Sequence, residues 1–234
     1  MRAGRWVIGV VLGGIIGAAR AARADTPTPE RPARSRTAVL VKTGTAEAEG
    51  GVAVTAGALS APVLVKVGLG RVEPRAGLDA AALGGPGAAL EGGAKLSLVR
   101  GKGGALSGWL GTNVPLGDGA AWVGQAHLLG TTRTEGGLLL QGNLGVDLGA
   151  AGGRPVTAGV PAAALLGAPV GKRVVLLGEG TVELRGGGWA LGGGARWALT
   201  RSLRLDAGAH WPLGGGPGTV TAGLVGNAGA LGGR

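Results

Sequence analysis

Between residues 188 and 199 the chain alternates with a period of two. Trp189, Leu191, Ala195, Trp197 and Leu199 fall on one side. Gly188, Gly192, Gly194 and Arg196 fall on the other, joined by Ala190 and Ala198. Successive side chains of a strand point to opposite faces, so this segment is a strand with one apolar face and one small or polar face. The pattern recurs. In 88–99, Leu90, Ala94, Leu96 and Leu98 oppose Glu91, Lys95 and Ser97. In 138–148, Leu138, Leu140, Leu144, Val146 and Leu148 oppose Gln141, Asn143 and Asp147. In 174–185, Val174, Leu176, Val182 and Leu184 oppose Glu179, Thr181, Glu183 and Arg185. In 203–211, Leu203, Leu205, Ala207, Ala209 and Trp211 oppose Arg204, Asp206 and His210.

Weaker alternation covers 38–44, 51–58, 61–70, 71–80, 105–115, 120–130, 156–166 and 219–227. Most of these segments are near the ~9–11 residues of a tilted membrane-crossing strand. The expected fold class is all-β: a single antiparallel transmembrane β-barrel of about 10–12 strands, beginning near Thr37. Glycine frequency argues against helices, with 54 glycines in 234 residues. Phe and Tyr are absent and the six aromatics are all Trp, which is too little aromatic bulk for a water-soluble core of this size. A thin wall facing lipid needs less interdigitating bulk. Trp189 and Trp197 share the apolar face and would stand roughly 20 Å apart along a membrane normal, near the spacing of two aromatic girdles.

The first 24 residues read as a secretory signal. Arg2 and Arg5 precede an uncharged, mostly apolar run from Trp6 to Ala19, and Ala22-Arg23-Ala24 offers a small-x-small cleavage site. That run is short of the roughly 20 residues of a membrane-spanning helix. Residues 25–36, with Pro27, Pro29 and Pro32, read as a flexible, proline-rich leader outside the barrel, and 37–234 as the barrel domain. Cleavage removes four arginines, so the formal charge of +10 falls to about +6. The remaining basic residues are scattered, which excludes a nucleic-acid partner. Zero cysteines exclude a disulfide scaffold and thiolate metal sites.

Catalysis finds no support in the residues. His127 and His210 form no metal-ligand spacing, and no serine has the G-x-S-x-G surroundings. Residues 167–173 imitate a phosphate loop but are one residue short and end in Arg173. The expectation is a non-enzyme without cofactor or metal. What remains is the polar face. Glu91, Lys95, Gln125, His127, Gln141, Asn143, Asp147, Glu179, Glu183, Arg196, Arg204, Asp206 and His210 are expected to line the lumen. There they pair across a narrow interior or tune a permeation path. Thr200-Arg201-Ser202 reads as a short hairpin, which makes Arg196 and Arg204 near cross-strand neighbours. Their repulsion calls for carboxylates, so a cluster of Arg196, Arg204, Glu183 and Asp206 is expected near the periplasmic end.

Several stretches carry a resemblance. Residues 61–83 (APVLVKVGLGRVEPRAGLDAAAL), 90–98 (LEGGAKLSL), 112–118 (TNVPLGD) and 189–211 (WALGGGARWALTRSLRLDAGAHW) occur in this order. They resemble the outer-membrane proteins of the MetA-pathway of phenol degradation family, over about residues 37–228. Leu199 to Gly208 fits that family's late l-t-x-x-l-x-L-D-x-G segment. The chain departs from it in ending Ala230-Leu231-Gly232-Gly233-Arg234, without the terminal aromatic that the outer-membrane insertion machinery reads. The resemblance implies a bacterial outer-membrane barrel that takes up small hydrophobic or aromatic molecules. Its partners are then outer-membrane lipid, the insertion machinery and a small-molecule permeant. The competing expectation is a non-transporting structural or binding barrel or sandwich, exported to the periplasm or cell surface.

Overall fold

The computed structural model describes residues 36–82, 88–116, 122–150 and 156–230. Residues 1–35, the expected signal segment and most of the expected leader, lie outside the described residues. Those described form a closed, antiparallel, all-β barrel. Its strands are β1 (Thr45–Thr55), β2 (Ala58–Val67), β3 (Val72–Ala82), β4 (Ala89–Arg100), β5 (Gly104–Pro115), β6 (Trp122–Arg133) and β7 (Leu139–Ala150). They continue as β8 (Thr157–Gly159), β9 (Pro161–Val170), β10 (Val174–Glu183), β11 (Gly188–Ala198), β12 (Leu203–Pro212) and β13 (Thr219–Ala230). β8 and β9 both pair with β7 and together make one stave, interrupted at Val160, so the barrel has twelve. Each stave pairs with its sequence neighbour. The ring closes where β1 meets β13 from Thr45↔Ala230 to Thr55↔Thr219. Closure leaves no strand edge, which is the condition for a sheet to cross lipid.

Antiparallel closure puts Thr45 and Ala230 at the same end, called the lower end below. The upper connections include the β1–β2 hairpin, where Ala56 and Gly57 both have positive φ (52° and 79°). That is the signature of a two-residue turn whose twist matches the strands it joins. Gly57 takes this conformation without steric cost, and Ala56 pays a small strain.

The period of two decides the faces. Leu140, Leu144, Leu176, Leu191, Trp197, Leu205 and Ala207 are exposed on the outer wall. Around them Leu90, Leu96, Leu110, Leu128, Val146, Leu148 and Leu166 complete an apolar exterior. Trp122, Trp189 and Trp211 stand outward near the upper rim, and Trp197 near the lower one. An exterior of this kind suits hydrocarbon, and its Trp positions suit the two interfaces.

One expected element is absent. The alternation at 38–44 does not produce a strand: residues 36–42 run as an irregular strap inside the barrel. Thr37, Ala38, Leu40 and Val41 are buried. Arg36, placed by composition in the external leader, is inside as well. The first strand begins at Thr45 instead, and its Glu47 and Glu49 point inward and are buried.

Candidate functional site: the strapped lumen

The lower lumen is closed by ion pairs and by the strap. Lys66, Glu73 and Lys95 have no solvent exposure. Buried charges persist only with partners. Lys66 Nζ meets Glu47 Oε1 at 2.6 Å and also contacts Glu49. Glu73 is the hub of a second group. Its Oε1 takes Lys95 Nζ at 3.2 Å and Arg75 Nη2 at 3.5 Å, and its Oε2 accepts the Val41 backbone N–H at 2.7 Å.

The strap satisfies its backbone polar groups on the β4–β7 wall, as a buried irregular segment must. Ser107 Oγ donates to the Ala38 carbonyl (2.6 Å), and the Ala38 N–H donates to Thr131 Oγ1 (2.8 Å). Lys95 Nζ also donates to the Val39 carbonyl at 3.4 Å. With its amide oriented by these contacts, Asn143 donates to the Arg36 carbonyl (2.9 Å) and accepts the Arg36 N–H (2.5 Å).

At mid-height the Arg36 side chain enters a pocket of acceptors. Its guanidinium lies over the Trp109 indole, 4.7 Å from the ring centroid. Nη2 donates to Gln125 Oε1 (3.2 Å) and Glu91 Oε1 (3.4 Å), and Nη1 reaches His127 Nδ1 at 3.4 Å. His127 Nε2 faces Asp147 Oδ1 at 2.6 Å. Trp109 is 1% exposed, and Arg75 also stacks on it at 4.4 Å. Glycine makes the room. A Cβ at Gly93 or Gly111, on strands flanking or carrying Trp109, would collide with the indole, and one at Gly145 would strike the His127 ring.

Above the strap the lumen opens. One cavity of about 510 Å³ is bounded by Arg36, Asp79, Glu91, Gln125, His127 and Asp147. Another of about 370 Å³ is bounded by Arg36, His127, Asn143, Thr181, Glu183 and Ala190. Both border Arg36 and His127.

Glu91, Lys95 and Asn143 thus belong to the strap contacts. Gln141 lies on the inner face of β7, opposite Thr131 of β6. Glu179 and His210 approach each other over Gly192, with Nδ1 to Oε2 at 3.8 Å, and His210 Nε2 is 3.4 Å from Thr181 Oγ1.

The expected cluster brings Arg196, Arg204 and Asp206 together at the lower end but without Glu183. The β11–β12 register pairs Arg196 with Asp206 and Ala198 with Arg204, because the turn centres on Arg201 rather than Thr200. Arg196 faces its carboxylate directly and lies in the field of Glu47 and Glu49 as well. Arg204 is inward, near Arg196 and Arg133. Glu183 is at the other end of the barrel, where β10 finishes. There its Oε1 accepts the Val160 N–H (2.6 Å) and the Arg185 N–H (3.2 Å).

Further lumen residues lie beyond those expected from the sequence: Glu47, Glu49, Lys66, Glu73, Arg75 and Asp79. Each sits at period two, as in Thr45-Ala46-Glu47-Ala48-Glu49 and Glu73-Pro74-Arg75, so alternation alone could have found them. Arg36 carried no such signal, since nothing in a strand pattern announces a segment folded inside the sheet.

No protein-family model matches this chain, and no curated protein matches it. Among solved structures it is similar to the KdgM porin, with a TM-score of 0.62 and 7% identity over 77% of this chain and 98% of that one. It is similarly close to the KdgM porin in complex with disordered oligogalacturonate, with a TM-score of 0.61, 8% identity and the same coverage. At such identity the likeness is one of fold.

Proposed function

We propose that this chain is a non-enzymatic channel of the bacterial outer membrane, closed at its lower, periplasmic end by its own residues 36–42. One observation carries the reading: a closed barrel with an apolar exterior holds two open cavities directly above an internal strap. A scaffold with no traffic has no need of an unfilled upper lumen. In bacterial barrels of even strand number both chain ends face the periplasm, which orients the strap. Export through the N-terminal signal, insertion by the outer-membrane machinery and a lipid boundary follow from this assignment. Membership of the MetA-pathway of phenol degradation family rests on the sequence patches alone.

For the permeant, the lumen chemistry favours a small polar molecule over the hydrophobic or aromatic one that the family resemblance implies. The KdgM porin is named with oligogalacturonate, a polyanion. The upper lumen here carries Asp79, Glu91, Asp147 and Glu183 against Arg36, a balance that disfavours anions.

The test is conductance in planar bilayers, comparing the exported chain with a variant lacking residues 25–42. Deleting the strap is expected to raise single-channel conductance several-fold, with folding checked by heat-modifiable gel migration. A folded deletion variant that stays silent would favour the non-transporting barrel, whose support is the same filled lower lumen.

A further inference from the structure

The surroundings of Arg36 have the make-up of a receptor. A guanidinium is planar, always charged and carries donors only. Around this one stand an aromatic face, a carboxylate, an amide carbonyl and an imidazole nitrogen, contributed by Trp109, Glu91, Gln125 and His127. The polarity of each partner is fixed by its other contacts. Gln125 Oε1 also accepts the Trp109 Nε1–H at 3.4 Å, so its oxygen is the atom turned to the pocket. Asp147 takes the Nε2 side of His127, which leaves Nδ1 as the acceptor facing Nη1. Glu91 is further oriented by Arg75 Nη1 at 3.9 Å.

This geometry selects a flat, multiply donating cation. An ammonium can also sit over an indole, but it lacks the planar fork that lies flat on the ring while its edge donates to acceptors on two strands. The pocket is also larger than its occupant needs, since both upper cavities open onto it. The strap below Arg36 is held independently, through Ala38 on Ser107 and Thr131 and through Val41 on Glu73. The Arg36 side chain can therefore leave without unstitching those contacts.

We propose that this pocket is a binding site for alkylguanidinium compounds, occupied in this structure by the chain's own Arg36. An incoming guanidinium competes with the Arg36 side chain for the same acceptors, while Asn143 keeps the Arg36 backbone in place. The inference rests on the channel reading for its purpose, because it names the permeant class, but the site itself stands on geometry and is tested without conduction.

The experiment uses the Arg36→Ala protein, folded in detergent and verified by heat-modifiable migration, with ethylguanidinium as probe in isothermal titration calorimetry. Saturable binding is expected in Arg36→Ala, weaker by about tenfold or more for ethylammonium and for the parent protein, whose site is filled. Arg36→Ala combined with Gln125→Ala or Glu91→Gln should lose a similar factor. L-arginine amide should bind more tightly than ethylguanidinium, because its body reaches the adjoining cavities. A folded Arg36→Ala protein without saturable ethylguanidinium binding overturns the proposal and leaves Arg36 as an anchor only. Equal binding of ethylammonium overturns it too. A silent strap-deletion barrel that still binds ethylguanidinium would instead sink the channel reading and keep the site.

Discussion

The two walls of the lumen solve the same problem differently. On the β3–β7 side, polar side chains crowd inward and the strap supplies their partners: Glu73 receives Val41, Ser107 and Thr131 hold Ala38, and Trp109 carries Arg36. On the β9–β12 side the buried leucine cluster includes no strap residue. That wall closes through Leu165, Leu177 and Val175, which pack with Leu139 of the adjoining β7, and through inward glycines such as Gly192 and Gly194, and it carries its own buried polar groups in Glu179, Arg196, Asp206 and His210. One wall is built to receive a segment of chain, and the other to need none. A permeation path opened by strap movement would therefore run along β3–β7 and leave the leucine cluster in place.

The largest effect should come from removing the hub. Glu73→Ala leaves Lys95 and Arg75 without their shared carboxylate and the Val41 N–H without its acceptor. Breaking a buried charge group by deleting one partner costs about 3–5 kcal/mol. Denaturant unfolding in detergent should read a loss of that size, and the strap should become protease-accessible. A loss below about 1 kcal/mol would mean that water already serves these groups, and the contrast between walls would fail.

On the opposite wall the expected effect is smaller and different in kind. Leu177→Ala opens space among Leu139 and Leu165, costing about 2–3 kcal/mol through lost burial and the cavity left behind. The strap's protection from protease should be unchanged, because no strap residue joins that cluster. Should the strap loosen in Leu177→Ala as well, the two walls are mechanically coupled and the comparison needs revising.

What the sequence makes legible follows the same division. In β11 and β12 the outer residues are apolar and the inner ones small or polar, so Leu191, Trp197 and Leu205 can be assigned to a face from spacing alone. The strap defeats that logic. Val39-Leu40-Val41 is a β-branched, apolar run whose local preference is for a strand, yet its polar neighbours on the wall hold it as irregular chain within the sheet. Periodicity also says nothing about turn length. A one-residue error in the centre of the 199–202 hairpin exchanges an Arg–Arg opposition for the Arg196–Asp206 pair. The pocket around Arg36 joins residues 55 to 91 positions apart in the chain, a proximity that only the closed barrel creates.

The smallest effect belongs to Glu183, and its location decides why. In a lower-lumen arginine cluster, Glu183→Gln would strand a guanidinium and cost several kcal/mol. Glu183 instead ends β10 at the upper rim and accepts the Val160 and Arg185 N–H groups through one oxygen. Val160 is the residue that interrupts the β8–β9 stave, so this carboxylate stands in for the ladder bond lost there. A glutamine carbonyl can take over both bonds, losing only their charge assistance, so a cost of about 1 kcal/mol or less is expected. The Arg196–Asp206 pair should be undisturbed, and strap protection should match the parent. Conductance of the strap-deleted barrel should shift slightly away from cations, because one negative charge leaves the upper cavity. A loss of stability near that of Glu73→Ala would place Glu183 among the lower charges after all, with the β10 register wrong along its whole length.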